Sequence, residues 1–279
     1  VPNTELNNCT IFRLKERPTV PLEAEVLSPD LIAPLSREAI GALPVFLGKR
    51  QYRIDDFFTV EGNGSRRLEL HGDAGRVKWL GRGMTQGRLT VHGNAGMHLG
   101  AYMKGGTIEV HGDASDWVGA EMTDGLITIH GNAGGQVGAA YRGSLTGMKG
   151  GTILIEGTAG MEIGMRMRRG LIAVRGTVRD FAGLQMKGGT IVLAGGAEIR
   201  TGAWMIRGSI VSLKPLQMMP TFTFACNYQP VFLRLYQRHL ASHGFALPSD
   251  FSAATFARYS GDTSVPGKGE ILVLQATTA

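Results

Sequence analysis

From Leu68 to Gly208, short stretches of alternating apolar and polar residues are separated by glycine-rich segments, and the pattern recurs seven times, mostly at a spacing of 19 residues. Its form is I-x-V-H-G-x-A-G-x-x-x-G-x-x-M-x-x-G-x. The opening residues are Leu68, Leu89, Ile108, Ile127, Ile153, Ile172 and Ile191. The methionines are Met84, Met103, Met122, Met148, Met167, Met186 and Met205, and the closing glycines Gly87, Gly106, Gly125, Gly151, Gly170, Gly189 and Gly208. In Ile108-Glu109-Val110-His111 and Ile127-Thr128-Ile129-His130, apolar residues two apart share one face of a short strand. Gly112 and Gly131 then turn the chain. A second short strand is expected around Val118-Gly119-Ala120, ahead of the methionine.

A unit of 19 residues with this much glycine is too short for a helix–turn–helix repeat. A strict short period means stacked units. The predicted fold is therefore mostly β: a single-stranded β-helix, or solenoid, of about seven 19-residue coils. The first and third positions and the methionines form inner columns, because one coil cannot bury its apolar face alone. At about 4.8 Å per coil the stack is on the order of 34 Å long. Two extra residues between Gly72 and Gly81, and seven at about Ala139–Gly147, leave later units in phase and so belong on loops.

The flanks do not repeat. Residues 1–67 read as an N-terminal cap, 68–214 as the repeat domain, and 215–279 as a helical and strand tail. Ser36 is placed to N-cap a short helix, and Tyr52–Val60 reads as a strand. Ser212 at an inner position, followed by Pro215, marks the end of the repeat. Pro230–His243 reads as an amphipathic helix closed by Gly244. A second helix is expected over about Asp250–Tyr259, and a last strand over Glu270–Leu274. The open ends of such a stack expose strand edges that the flanks must cover.

The chain has 279 residues and 43% hydrophobic content, and its apolar runs are far too short to span a bilayer. Its first residues, Val1-Pro2-Asn3-Thr4-Glu5, do not read as a secretory leader. Asn8-Cys9-Thr10 fits a glycosylation sequon, taken as a chance match in a cytoplasmic protein. The two cysteines, Cys9 and Cys226, form no CxxC pair, so an iron–sulfur cluster or structural zinc is not expected from them. A net charge of +6 favours acidic partners, but the basic residues are scattered without interleaved aromatics, which argues against nucleic acid.

His71, His92, His111 and His130 share one repeat position that alternates with the inner residues and so points outward. Ladder neighbours about 4.8 Å apart cannot converge four deep on an ion held at roughly 2.1 Å, although two adjacent rings could share one. No metal site is assigned on this basis. The methionines read as packing and the glycines as turns; no phosphate-loop pattern is present. No nucleophile–base–orienter group emerges. Asp113, Asp116, Glu121 and Asp124 lie within one coil, without the matching cluster in adjacent coils that a sugar-cleaving solenoid needs. The one open candidate is a basic corner of Arg166, Arg168 and Arg169 with Lys149 and Lys187 at matching corners of adjacent coils, and Lys104 further along. It reads as a solvated face or as a track for a polyanionic chain or acidic subunit.

The unit G-x-A-G-x-x-x-G-x-x-M-x-x-G resembles the GXGXG β-helix domain of the glutamate synthase large subunit and of the formylmethanofuran dehydrogenase C subunit. A short N-terminal region, seven coils, then Met219-Pro220-Thr221-Phe222 and a helical tail fit the second arrangement better. That resemblance implies a cytoplasmic, non-catalytic structural subunit with no cofactor of its own. In the branch favoured by the Arg/Ala-rich composition, the bacterial formyltransferase/hydrolase complex, a formyl group passes from formyl-tetrahydromethanopterin to a methanofuran-like carrier and is hydrolysed to formate. The implied partners are an amidohydrolase-type subunit and a formyltransferase subunit, with zinc in the partners. The alternatives are the C subunit of a molybdenum or tungsten formylmethanofuran dehydrogenase, or a glutamate synthase-like spacing domain. The carriers' glutamate-containing tails give the basic corner a concrete candidate ligand.

Overall fold

The computed structural model describes residues 9–275. The expectations about a leader and about Asn8 fall outside the described residues.

The N-terminal region comprises β1 (Thr10–Leu14), β2 (Leu22–Glu23), α1 (Pro29–Ile32), α2 (Arg37–Gly41), β3 (Pro44–Leu47), β4 (Arg50–Arg53), α3 (Ile54–Phe57) and β5 (Phe58–Glu61). Ser36 caps α2 by accepting from the Ala39 amide. The strand expected over Tyr52–Val60 is interrupted. Asp56 Oδ2 accepts the Arg53 amide at 2.8 Å and starts the helical turn α3 in its middle.

The repeat supplies β6 (Arg67–His71), β7 (Val77–Lys78), β8 (Arg88–Val91), β9 (Lys104–Val110), β10 (Asp124–Ile129), β11 (Thr152–Ile155), β12 (Leu171–Val174), β13 (Lys187–Leu193) and β14 (Arg207–Ser212). All but β7 lie side by side and parallel in one sheet. The register places Leu68 beside Leu89, then Ile108, Ile127, Ile153, Ile172, Ile191 and Ile210. This is the column that the period predicts. These residues, their partners two positions on and the methionine column from Met84 to Met205 are buried in one core.

The second strand expected around Val118-Gly119-Ala120 is not formed. Gly119 has φ of 60° and lies in a turn. The second contact edge is narrower: single bridges join Ala74, Ala95, Ala114, Ala133, Ala159, Val178 and Ala197 in sequence. The corner after the bridge needs positive φ at close spacing, as at His98, Gly100 and Tyr102, which an extended strand cannot supply. A Cβ on Gly100 would also lie 2.6 Å from Ile127 Cδ1.

The tail contributes β15 (Thr223–Tyr228), α4 (Leu233–Ser242), β16 (Phe256–Gly261) and β17 (Gly269–Leu274). β17 continues the parallel stack on β14, with Ile271 beside Ile210. β1 does the same at the other end, with Phe12 beside Leu70. The helix expected over Asp250–Tyr259 is instead a turn followed by β16, antiparallel to both β17 and β15. The open edge of β17 offers this segment a full ladder of hydrogen bonds, and that pairing overrides its local pattern. In all, thirteen strands form the large sheet among the described residues, with β5 at one edge and β15 at the other.

α4 is shorter than expected, starting at Leu233 after a turn from Pro230. Its Leu233 and Leu240 join Phe245, Phe251 and Phe256 in a second core over Leu154, Leu171, Ala173, Val192 and Val211, on the outer face of the later strands. No helix among the described residues is long and apolar enough to cross a membrane.

Candidate functional site

Three side-chain ladders follow from the stacking. The first is the basic corner. The residue after each methionine donates its amide to the methionine carbonyl of the preceding repeat: Lys149 to Met122, Arg168 to Met148 and Lys187 to Met167. The backbone thus aligns Lys149, Arg168 and Lys187 in one row, with Arg169 next to it. Lys149, Arg168 and Arg169 are exposed.

Arg166 and Lys187 are differently employed. Arg166 donates to Gln185 Oε1 at 2.7 Å and to the Ser144 carbonyl at 2.6 Å, and Lys187 Nζ donates to the Leu145 carbonyl at 2.7 Å. Both hold down the loop inserted after Ala139. Beside them lies a cavity of about 350 Å³ lined by Leu145, Gln185, Trp204, Ile206 and Val265. Leu145 is 72% exposed and Trp204 48%, so the cationic row runs next to an apolar patch that sequence reasoning did not find. Its signal was weak, since Ile206 takes the place of Thr, Lys or Arg in only one repeat.

The second ladder is aromatic and was also missed. Trp79, His98 and Trp117 occupy one repeat position, with ring centroids 4.1 Å apart for the first pair and 6.4 Å for the second. The inserted loop adds Tyr141, stacked on Trp117 at 4.8 Å, with its hydroxyl 2.8 Å from His98 Nδ1. Burial, with Lys78 adding to it, pushes His98 down to about 4, and burial pushes Tyr141 up. The pair is therefore uncharged at neutral pH. Aligning the units on this position would have shown the aromatic row.

The third ladder is the histidine row, on the outer face not covered by α4. His71 and His92 stack at 4.2 Å, His92 and His111 at 5.2 Å. Glu69 Oε2 lies 3.2 Å from Nε2 of both His71 and His92. Burial opposes ionisation of Glu69, yet these two contacts hold its carboxyl below the usual range. Glu109 is shared between His130, at 3.0 Å, and Arg88. Burial and the Glu69 carboxylate push the Cys9 thiol up to about 11, so it stays protonated. Cys226 is exposed, and both cysteines are free thiols.

The acidic residues of the third unit serve the backbone. Asp113 accepts the Asn132 amide at 2.7 Å, Asp116 that of Gly135 at 2.6 Å, Glu121 that of Tyr141 at 3.0 Å and Asp124 that of Gly125 at 2.8 Å. They pin turns and do not converge on a common point.

These features can be set beside known proteins. Residues 73–235 match the family model described as the GXGXG motif. The C subunit of the molybdenum-containing formylmethanofuran dehydrogenase 1 of Methanosarcina barkeri is 46% identical over 85 residues, which span 29% of this chain and 28% of that protein's length. The C subunit of the tungsten-containing formylmethanofuran dehydrogenase 2 of Methanococcus maripaludis is 42% identical over 268 residues, covering 95% of this chain and 96% of its own. A chain in the crystal structure of the formyltransferase/hydrolase complex (FhcABCD) of Methylorubrum extorquens with methylofuran superposes with a TM-score of 0.87 at 32% identity, covering 95% of this chain and 100% of that one. With the model spanning most of the repeat and a relative aligned over nearly the whole length, the chain belongs to the GXGXG family and, within it, to the family of formylmethanofuran dehydrogenase C subunits.

Proposed function

We propose that the chain is a non-catalytic structural subunit of a cytoplasmic complex that transfers a formyl group from formyl-tetrahydromethanopterin to a methanofuran-like carrier and hydrolyses it to formate. The observation that carries this reading is the near full-length likeness to a chain of the formyltransferase/hydrolase complex solved with methylofuran. On this reading a rod of seven coils over residues 68–214, capped by 1–67 and 215–279, holds an amidohydrolase-type and a formyltransferase subunit, and the catalytic zinc resides in those partners. The exposed Lys149, Arg168 and Arg169, with Lys187 and Arg166 behind the inserted loop, form a track for the carrier's acidic tail or for an acidic subunit surface.

A second reading, the C subunit of a molybdenum or tungsten dehydrogenase, is favoured by the 42% identity to the Methanococcus protein. Native purification with identification of the partner proteins and metal analysis separates the two. Zinc with formyl transfer and hydrolysis supports the first; molybdenum or tungsten with formylmethanofuran oxidation supports the second. An active chain without partners would overturn both. The same purification tests the track with Lys149→Glu and Arg168→Glu combined. Arg166 is left intact because its reversal would also release the loop. The double variant should lose carrier or partner from the purified complex, most clearly at low salt, and unchanged composition would dispose of the track.

A further inference from the structure

We propose that Glu69, His71 and His92 form a binding site for one divalent transition ion of the zinc class, joining the first two repeats on the outer face of the sheet. Each donor is placed by the stack. Glu69 and His71 are two apart on β6 and share its outward face. His92 follows β8 at the repeat position equivalent to His71, so the register sets the two rings nearly parallel, 15° apart. Glu69 Oε2 is 3.2 Å from each Nε2. The three donor atoms lie within 4.8 Å of one another.

Two of these separations match the edges of a coordination polyhedron. Zinc holds nitrogen and oxygen ligands at about 2.0–2.2 Å, so tetrahedral donors lie about 3.3 Å apart. The two oxygen–nitrogen edges already have that length. The nitrogen–nitrogen edge must close to the same length, so an ion enters when the two stacked rings turn until both Nε2 lone pairs meet it, each neutral imidazole carrying its proton on Nδ1. Two imidazoles and one carboxylate suit zinc, cobalt or nickel, not magnesium or calcium. Three protein donors leave a fourth position for water.

The rest of the ladder does not repeat the arrangement. Glu109 is already paired with the Arg88 guanidinium as well as His130, and an ion there would have to displace a fixed cation. Glu69 makes its ion contacts to the two imidazoles. The histidine row thus carries one site, at its first step.

The test uses the full chain without a polyhistidine tag. Zinc alone is titrated calorimetrically at neutral pH, and cobalt(II) serves as an optical probe. One ion per chain is expected, with the visible bands of tetrahedral cobalt. Glu69→Gln and His92→Gln should each weaken binding by roughly tenfold or more, whereas His130→Gln should leave it unchanged. Circular dichroism verifies that each variant is folded before titration. Absence of saturable binding to the folded chain would overturn the proposal. So would binding indifferent to His92→Gln, or equal weakening by His130→Gln.

Discussion

The corners of the repeat are made by residues held in the left-handed region without being glycine. Trp79, His98, Trp117, Gln136, Glu162, Phe181 and Arg200 occupy one such position, and Tyr102, Glu121, Arg166, Gln185 and Trp204 another. Each costs roughly 1 kcal/mol or more of local strain, which the bonds between repeats offset. His98 shows the consequence most sharply, because it is wedged between Trp79, Trp117 and Tyr141 with its pKa depressed to about 4. In the unfolded chain its imidazole takes up a proton as pH falls through 6.5, while the folded one resists until about 4. Across that window the unfolded state binds more protons, so stability is full above 6.5 and declines towards 4. We expect His98→Gln to lose less Tm between pH 7 and pH 4 than the unaltered chain, by a few degrees, since partial exposure limits the effect. Parallel declines in thermal unfolding of the two proteins would refute this. The recurring glycine, as at Gly81 and Gly100, marked each corner, but nothing in the sequence displayed the left-handed residues on either side of it. Bulky residues rarely adopt that conformation, and only the stack makes them do so. The inner columns were legible, because their periodicity is a direct record of burial.

At the level of elements, the second strand position changes character along the stack. Glu69, Thr90, Glu109 and Thr128 give way to Leu154, Ala173, Val192 and Val211, with Leu272 continuing the row on β17. The first four face solvent or carry the histidine row, whereas the later ones lie under α4. Thr190 and Thr152 bond Tyr236 and His239 of that helix at 2.8 and 3.0 Å, and Arg175 stacks on Phe245 at 4.3 Å. Leu240 is fully buried in this contact. Leu240→Ala should cost about 2–4 kcal/mol, and Leu240→Asp should undock the helix and expose the row beneath. Chemical denaturation and dye binding to apolar surface report the two effects; wild-type behaviour of Leu240→Asp would show that the helix does not depend on this contact. The helix could be read from its own amphipathic pattern, and the polar-to-apolar switch marked where it docks. β16 could not be read this way: a free strand edge formed by residues far along the chain decides its conformation. The basic row was visible as a cluster, but the sequence did not reveal that Arg166 and Lys187 bind the inserted loop.

For the whole molecule, the decisive feature is the reversal of strand direction at both ends of the stack. Nine consecutive pairings from β1 to β17 are parallel and in register. Beyond them, β5 runs antiparallel on β1, and β16 and β15 run antiparallel beyond β17. A parallel stack with bare ends is a template, because the last coil of one copy can accept the first coil of the next. Such head-to-tail contacts do not close and give fibres of indefinite length. The reversed strands present a different hydrogen-bond spacing to any incoming coil and end the series. A fragment cut back at both ends to the parallel strands should therefore elongate into filaments visible by electron microscopy, while one cut at a single end should stop at small oligomers. If the doubly cut fragment folds as a dispersed monomer, the ends do not have this role. In the intact chain the same turns would act as terminators of growth, setting the length of what is otherwise an open-ended lattice.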